Sequence, residues 1–163
     1  MVFYHDKTLD VIYRDTSQMR VLNLAEAGLP EVPVIACTRF DHYVVPYALH
    51  RHPDCFEIGL CLRGALTLVS QGVENRILPG DLLVNKPDDE HSLKTIPAGT
   101  KYYWMMFRDP ESCETFLHLP PGVAHDLHAR LNALPSRITA DTAKVKQAFA
   151  DLFIHYDRPP GPY

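Results

Sequence analysis

Four side chains with metal-ligand chemistry fall in two short runs of this chain. The first run is His50-Arg51-His52-Pro53-Asp54-Cys55-Phe56-Glu57, with Gly64 after six intervening residues; the second runs from Pro79-Gly80-Asp81 to His91. Strand side chains alternate between two faces, so histidines at i and i+2 of a strand share one face. A carboxylate from the next strand, Glu57, and a third imidazole from a distant strand, His91, would close a three-histidine, one-carboxylate site. Such a site needs a fold that lays distant short strands side by side.

The rest of the pattern agrees. From Val32 to about Arg108, short apolar runs are broken by Gly, Pro, Asn and Asp, which predicts strands at Val34–Phe40, Tyr43–Leu49, Phe56–Arg63, Ala65–Ser70, Val73–Leu78, Leu82–Asn85, His91–Ile96 and Tyr102–Phe107. A further short strand is expected at Val11–Tyr13. Gln71-Gly72, Pro79-Gly80-Asp81 and Pro97-Ala98-Gly99-Thr100 have turn chemistry. Many short strands with frequent turns predict a mainly β sandwich or barrel.

After Asp109 the texture becomes helical. Pro110 can open a short helix through Leu117, and Val123–Leu134 carries a stripe at Ala124, Leu127, Leu131 and Leu134. Val145, Ala148, Phe149, Leu152, Phe153 and Tyr156 follow the helical period most closely, with Thr139 or Asp141 as the expected cap. Pro159-Pro160-Gly161-Pro162 then forbids helix. The expected division is a barrel with an N-terminal arm over 1–108, a helical tail of the same domain over 109–158, and a linker from 159.

Length and charge narrow the function. The 163 residues suit one domain with one sizeable core, and a net charge of −4 gives no general attraction to nucleic acid or an anionic membrane. The start, MVFYHDKTLD, lacks a signal peptide's basic head and apolar middle, and no apolar run approaches a membrane span. Cys37, Cys55, Cys61 and Cys113 show no paired zinc or redox spacing, so reduced thiols in a cytoplasm are expected.

HxHxxxxE with the following Gly64 resembles the first cupin motif, and PGDLLVNKPDDEH resembles the second. The resemblance covers roughly residues 32 to 107. It implies a jelly-roll β-barrel whose metal ligands are His50, His52, Glu57 and His91. Departures are Val44 for the first motif's leading Gly, Lys86-Pro87-Asp88 for the second motif's Pro-x-Gly, and Thr95 for its trailing Asn. They bear on enzymatic identity more than on fold. The run HSL that closes the second motif, the strand Tyr102-Tyr103-Trp104 and the two-helix tail resemble the N-terminal sensor domain of AraC-family transcription regulators. That resemblance implies a small effector, often a sugar, in the barrel, dimerisation through the tail helices, and DNA reading by a separate C-terminal helix-turn-helix domain.

The quartet admits two readings: a divalent metal (Zn, Ni, Fe or Mn) held by its four members, or a metal-free pocket lined by hydrogen-bonding His and Glu. Strand parity places Gly59 and Cys61 inward with Glu57, while Phe56, Ile58, Leu60 and Leu62 pack the opposite face. Tyr102, Trp104 and Met106 share one face of their strand and are expected to line the ligand space, an aromatic wall suited to a sugar or a planar aromatic ligand. His42, His118, His125, His128 and His155 read as surface or capping histidines. Leu127, Leu131, Val145, Phe149, Leu152, Phe153 and Tyr156 are the expected homodimer interface. The expected function is effector sensing without catalysis. The alternative is a stand-alone metal-dependent cupin enzyme, a dioxygenase or sugar isomerase.

Overall fold

The computed structural model describes residues 3–6, 11–44, 48–139 and 142–156. Its strands are β1 (Phe3–Asp6), β2 (Val11–Arg14), β3 (Met19–Leu22), β4 (Val34–Arg39), β5 (Cys55–Arg63), β6 (Leu66–Ser70), β7 (Val73–Ile77), β8 (Leu82–Asn85), β9 (His91–Thr95) and β10 (Lys101–Arg108). A 3-10 turn, Pro110–Ser112, leads to α1 (Pro121–Asn132), the short strand β11 (Arg137–Ile138) and α2 (Ala143–Tyr156). Hydrogen bonding orders the strands as β11-β8-β5-β10-β4-β3 in one sheet, β7-β6-β9 in a second, and β1-β2 as a hairpin. The fold is the expected mainly β barrel followed by two helices.

Two apolar layers hold it. Residues from both larger sheets, among them Val34, Cys61, Leu68, Ile77, Leu83 and Trp104, meet in an inner core. The outer face of the six-stranded sheet, through Leu22, Ile35, Phe56, Leu60 and Phe107, packs against Phe116, Ala124, Leu131 and Phe149 of the tail. Period-two alternation explains the division. Along β10, Tyr102, Trp104 and Met106 enter the inner core, while Tyr103, Met105 and Phe107 face the helices. Likewise Cys61 points inward, and Phe56, Ile58, Leu60 and Leu62 belong to the outer layer.

Local chemistry sets the turns. Gln71 and Gly72 have φ of 49° and 76°, so the β6–β7 hairpin uses the positive-φ pair that matches strand twist. Gly64 has φ +81°, and a Cβ there would lie 2.6 Å from Thr100 Oγ1 and 2.9 Å from Thr100 Cα, so no larger residue fits.

Several expectations change. Strands β1, β3 and β11 have no counterpart among the expected strands; β3 and β11 are edge strands of the six-stranded sheet, short enough to leave little alternation to read. Of the strand expected at Tyr43–Leu49, residues 45–47 lie outside the described residues, and the rest shows only the bridge at Val44, to Ile96. His50 makes a second bridge, to His91, and His52 lies in the irregular segment before β5. The helix expected from Pro110 to Leu117 is one 3-10 turn, because Cys113 is already extended, with φ −104° and ψ 139°. Helix α1 begins at Pro121, a residue suited to a first turn, and ends at Asn132. Thr139 does not cap α2: the Thr142 carbonyl accepts the Lys146 N–H at 2.9 Å, which places the cap at Thr142, and the alternative Asp141 lies outside the described residues. The expected linker from 159 also lies outside them.

The tail packs on the barrel and adds a strand to it. β11 joins the barrel sheet through β8, pairing Arg137 with Leu83 and Ile138 with Leu82. Of the residues expected at a dimer interface, Leu131 and Phe149 are buried on the protein's own barrel, and Leu127, Val145, Phe153 and Tyr156 are partly buried in the same layer. Tyr103 explains this: its ring stacks on Phe149 at 5.1 Å and on Phe153 at 5.5 Å. Leu152 stays exposed, at 39 %, as do Val123 on α1 and Ile154 on α2.

Candidate metal centre and ligand cavity

His50, His52 and His91 converge. Their ligating nitrogens lie within 4.8 Å of one another, and their ring centroids are 4.4 to 5.3 Å apart. Two main-chain bonds set the spacing: His50 N donates to His91 O at 3.0 Å, and His91 N donates to His50 O at 2.8 Å. Asp54, with φ 56°, turns the chain from His52 into β5, which delivers Glu57 beside the histidines. Glu57 stands to one side of the trio. Its Oε2 is 3.0 Å from His91 Nε2 and 4.0 Å from His52 Nε2.

The ring tautomers follow from their neighbours. His50 Nδ1 lies 2.8 Å from Ala48 O, and His91 Nδ1 lies 2.8 Å from Asp89 O. A carbonyl oxygen can only accept, so both Nδ1 atoms carry hydrogen. In the neutral ring Nε2 is then a bare lone pair, the state of a metal-ligating histidine fixed by a second hydrogen bond.

At His91 that lone pair faces the Glu57 carboxylate, and two acceptors at 3.0 Å need a positive centre between them. A proton on Nε2 supplies one; a divalent cation supplies another. Burial pushes the Glu57 carboxyl up, but His91, His52 and the Asn85 hydrogen bond outweigh it and hold the group at about 2. Burial pushes the His91 imidazole down, and the contact with Glu57 more than reverses this, leaving it above its ordinary value. The donor set fits a divalent metal: three neutral imidazoles and one carboxylate, with two imidazoles oriented from behind. The 4.8 Å spread exceeds the edge of a tight coordination shell, so the rings would close inward by about an ångström.

The trio forms one wall of a cavity enclosing about 540 Å³, open mouth included. Its room for the centres of water-sized molecules is about 40 Å³, enough for about three waters or a small ligand. Tyr102, Trp104 and Met106 line it, with Leu68, Leu83 and Leu93. Trp104 is both core and wall: 4 % exposed, it donates Nε1–H to Thr38 Oγ1 at 3.0 Å and meets Tyr13 edge-on at 4.8 Å.

Gly59 and Cys61 do not form part of this wall. The space above Gly59 is filled by Leu83, whose Cγ would lie 2.9 Å from a Cβ there, and Cys61 is packed in the inner core, its thiol 3.7 Å from Arg63 O. Sequence reasoning missed Tyr13, Met19 and Asn85 as wall residues. Asn85 is the antiparallel partner of Glu57 across β5 and β8, a pairing that only the register sets. Tyr13 and Met19 lie in a segment with little periodicity. His125 and His128 are paired with carboxylates: His125 with Glu111 at 2.5 Å, and His128 with Asp109 at 2.6 Å.

Known proteins bear on this geometry. The family model of the AraC-like ligand binding domain matches residues 32–160, roughly four-fifths of the chain. No curated protein sequence matches the chain. Among solved structures, a predicted oxalate decarboxylase from Thermotoga maritima is 18 % identical over 66 % of this chain and 99 % of its own, with a TM-score of 0.46. A cupin protein from Bacteroides fragilis is 16 % identical over 64 % and 88 %, with a TM-score of 0.48. A sugar phosphate isomerase of the cupin superfamily from Silicibacter pomeroyi is 23 % identical over 57 % and 61 %, with a TM-score of 0.40. With its family model spanning barrel and tail helices alike, the chain belongs to the AraC-like ligand binding domain family.

Proposed function

We propose that this domain is the effector sensor of an AraC-type transcription regulator that acts in the cytoplasm. One observation carries the reading: the histidine trio and an aromatic wall face a single narrow cavity inside the barrel. The ligand is a small molecule, a compact sugar or a planar aromatic compound, seated against Trp104 and Tyr102. Gly59 and Cys61 act behind that wall, by leaving room for Leu83 and by filling the core. DNA is read by a separate helix-turn-helix domain, and the tail helices carry homodimerisation.

His50, His52, His91 and Glu57 would hold a divalent metal, Zn, Ni, Fe or Mn. When bound, such an ion supplies a Lewis-acidic contact for an oxygen of the ligand. The chain's own residues orient the imidazoles, exclude bulk water and place the aromatic wall. Tyr13 and Met19, from β2 and β3, also line the cavity, so occupancy would be felt by the N-terminal segment. A ligand shifts the protein only as far as it prefers one arrangement over another.

The test is a small-molecule screen by thermal denaturation on the domain and its Trp104→Ala variant. A compound that raises Tm in the parent and not in the variant supports the reading. A compound chemically altered on incubation supports the second reading, a metal-dependent cupin enzyme, which the three-histidine cluster itself favours. Among the described residues no helix is long and apolar enough to cross a membrane.

A further inference from the structure

Asn85 stands apart from the ionisable groups of the cavity. It is 1 % exposed, lies at the end of β8 opposite Glu57, and lines the cavity. Its Nδ2 donates to Glu57 Oε2 at 3.1 Å. A carboxylate only accepts, so the amide cannot be turned the other way round. Its Oδ1 is thereby left as a buried acceptor with no hydrogen-bond partner among the described residues. A buried acceptor without a donor is a standing cost that a suitable ligand group would remove.

The surrounding chemistry does not remove it. Among the described wall residues there is no lysine or arginine. His50 and His91 have their Nδ1 hydrogens committed to Ala48 and Asp89. Asn85 Oδ1 is the amide acceptor of the cavity, held in a fixed direction by Glu57.

We infer that Asn85 is the specificity-determining residue of the cavity, accepting a hydrogen bond from a hydroxyl or N–H group of a small ligand. The inference rests on the effector-binding reading and adds the ligand class: a molecule of a few heavy atoms that presents a donor, in preference to an isostere lacking one. Glu57 fixes the amide, so the acceptor is oriented before the ligand arrives, which is where hydrogen-bond discrimination is strongest. A metal on the histidines would add a second contact without changing the demand at Asn85.

Trp104, the single tryptophan of the chain, lines the cavity and reports occupancy by its fluorescence. The probes are phenol, cyclohexanol and propane-1,2-diol, each against the analogue with one hydroxyl replaced by fluorine, which removes the donor at nearly constant size. They are titrated into the intact domain, metal-free and zinc-loaded. At least one hydroxyl probe is expected to bind about tenfold or more tightly than its fluoro analogue, and Asn85→Leu is expected to abolish the preference. Asn85→Ser, which keeps an acceptor, should retain part of it and stands in if the leucine variant does not fold. Equal binding within every pair, or a preference that survives Asn85→Leu, overturns the inference and leaves effector binding standing. No binding by any probe at about 10 mM, in either metal state, counts against both.

Discussion

Arg137 Nε and Nη2 both donate to Asp81 Oδ2, at 2.9 and 2.7 Å. The same oxygen accepts the Leu78 N–H at 2.8 Å. One carboxylate therefore closes the turn before β8 and fastens β11, the strand between the two helices, to the barrel. Asp81 is 8 % exposed in its side chain and Arg137 32 %, so the pair is only partly screened. Asp81→Ala is expected to lower stability by about 2–3 kcal/mol, since it strands a half-buried guanidinium and opens the turn. Urea denaturation measures it; a loss under about 0.5 kcal/mol would refute the clamp.

Metal binding is expected to depend on all three histidines. Replacing His50, His52 or His91 with Ala should each weaken Co²⁺ or Zn²⁺ binding by more than about tenfold, the loss seen when only a residue behind a ligand is removed. Calorimetry on protein purified without a histidine tag reads the affinity. Stoichiometric binding that persists in the triple variant would place the metal elsewhere.

Gly59→Ala should disturb the cavity from behind. Its Cβ would lie 2.9 Å from Leu83 Cγ and 3.0 Å from Leu83 Cδ2, forcing Leu83 toward the cavity it lines. The expected cost is about 1–3 kcal/mol, as for other overpacked cores. Leu83→Ala in the same chain should recover part of it, so thermal denaturation of the four-member cycle must show non-additivity.

Cys61 should be chemically silent in the folded protein. It is 1 % exposed, and burial, with the nearby Asp81 charge, pushes its thiol up to about 11. A raised pKa leaves little thiolate below about pH 9, and the thiolate is the nucleophile. Titration with a disulfide reagent at about pH 8 should leave Cys61 unmodified until denaturant is added; modification at the rate of a free thiol would contradict this packing.

Leu152→Asp tests homodimerisation through the tail. Leu152 is the exposed member of the expected interface, while Phe149, at 3 % exposure, is committed to the barrel. The substitution should shift a dimer to monomer in sedimentation while changing the stability of the fold by less than about 1 kcal/mol. Phe149→Ala should instead unfold the tail, at about 3–4 kcal/mol. A parent that is monomeric at high concentration would remove the tail interface from the proposal.

The barrel and its clustered histidines were legible because their signals are local. Turn residues mark the strand ends, and the spacing of His50, His52 and Glu57 is fixed within a single short run. Helix α2 was legible for the same reason, its apolar period running through Phe149 and Phe153. What escaped depends on partners distant in sequence. Asn85 reads as a strand-ending residue until register sets it against Glu57. Phe149 reads as an interface residue until Tyr103 is found beneath it. The missing helix before α1 turns on the extended backbone of Cys113, which its residue type does not announce.

The reciprocal main-chain bonds between His50 and His91 separate the geometry of the centre from its chemistry. The distance between these two positions belongs to the backbone, so it survives any substitution that leaves the pairing intact. A substitution at either position can therefore change what the side chain offers without changing the distance between the two positions. The pair acts as an inherited socket whose fitting is free to vary.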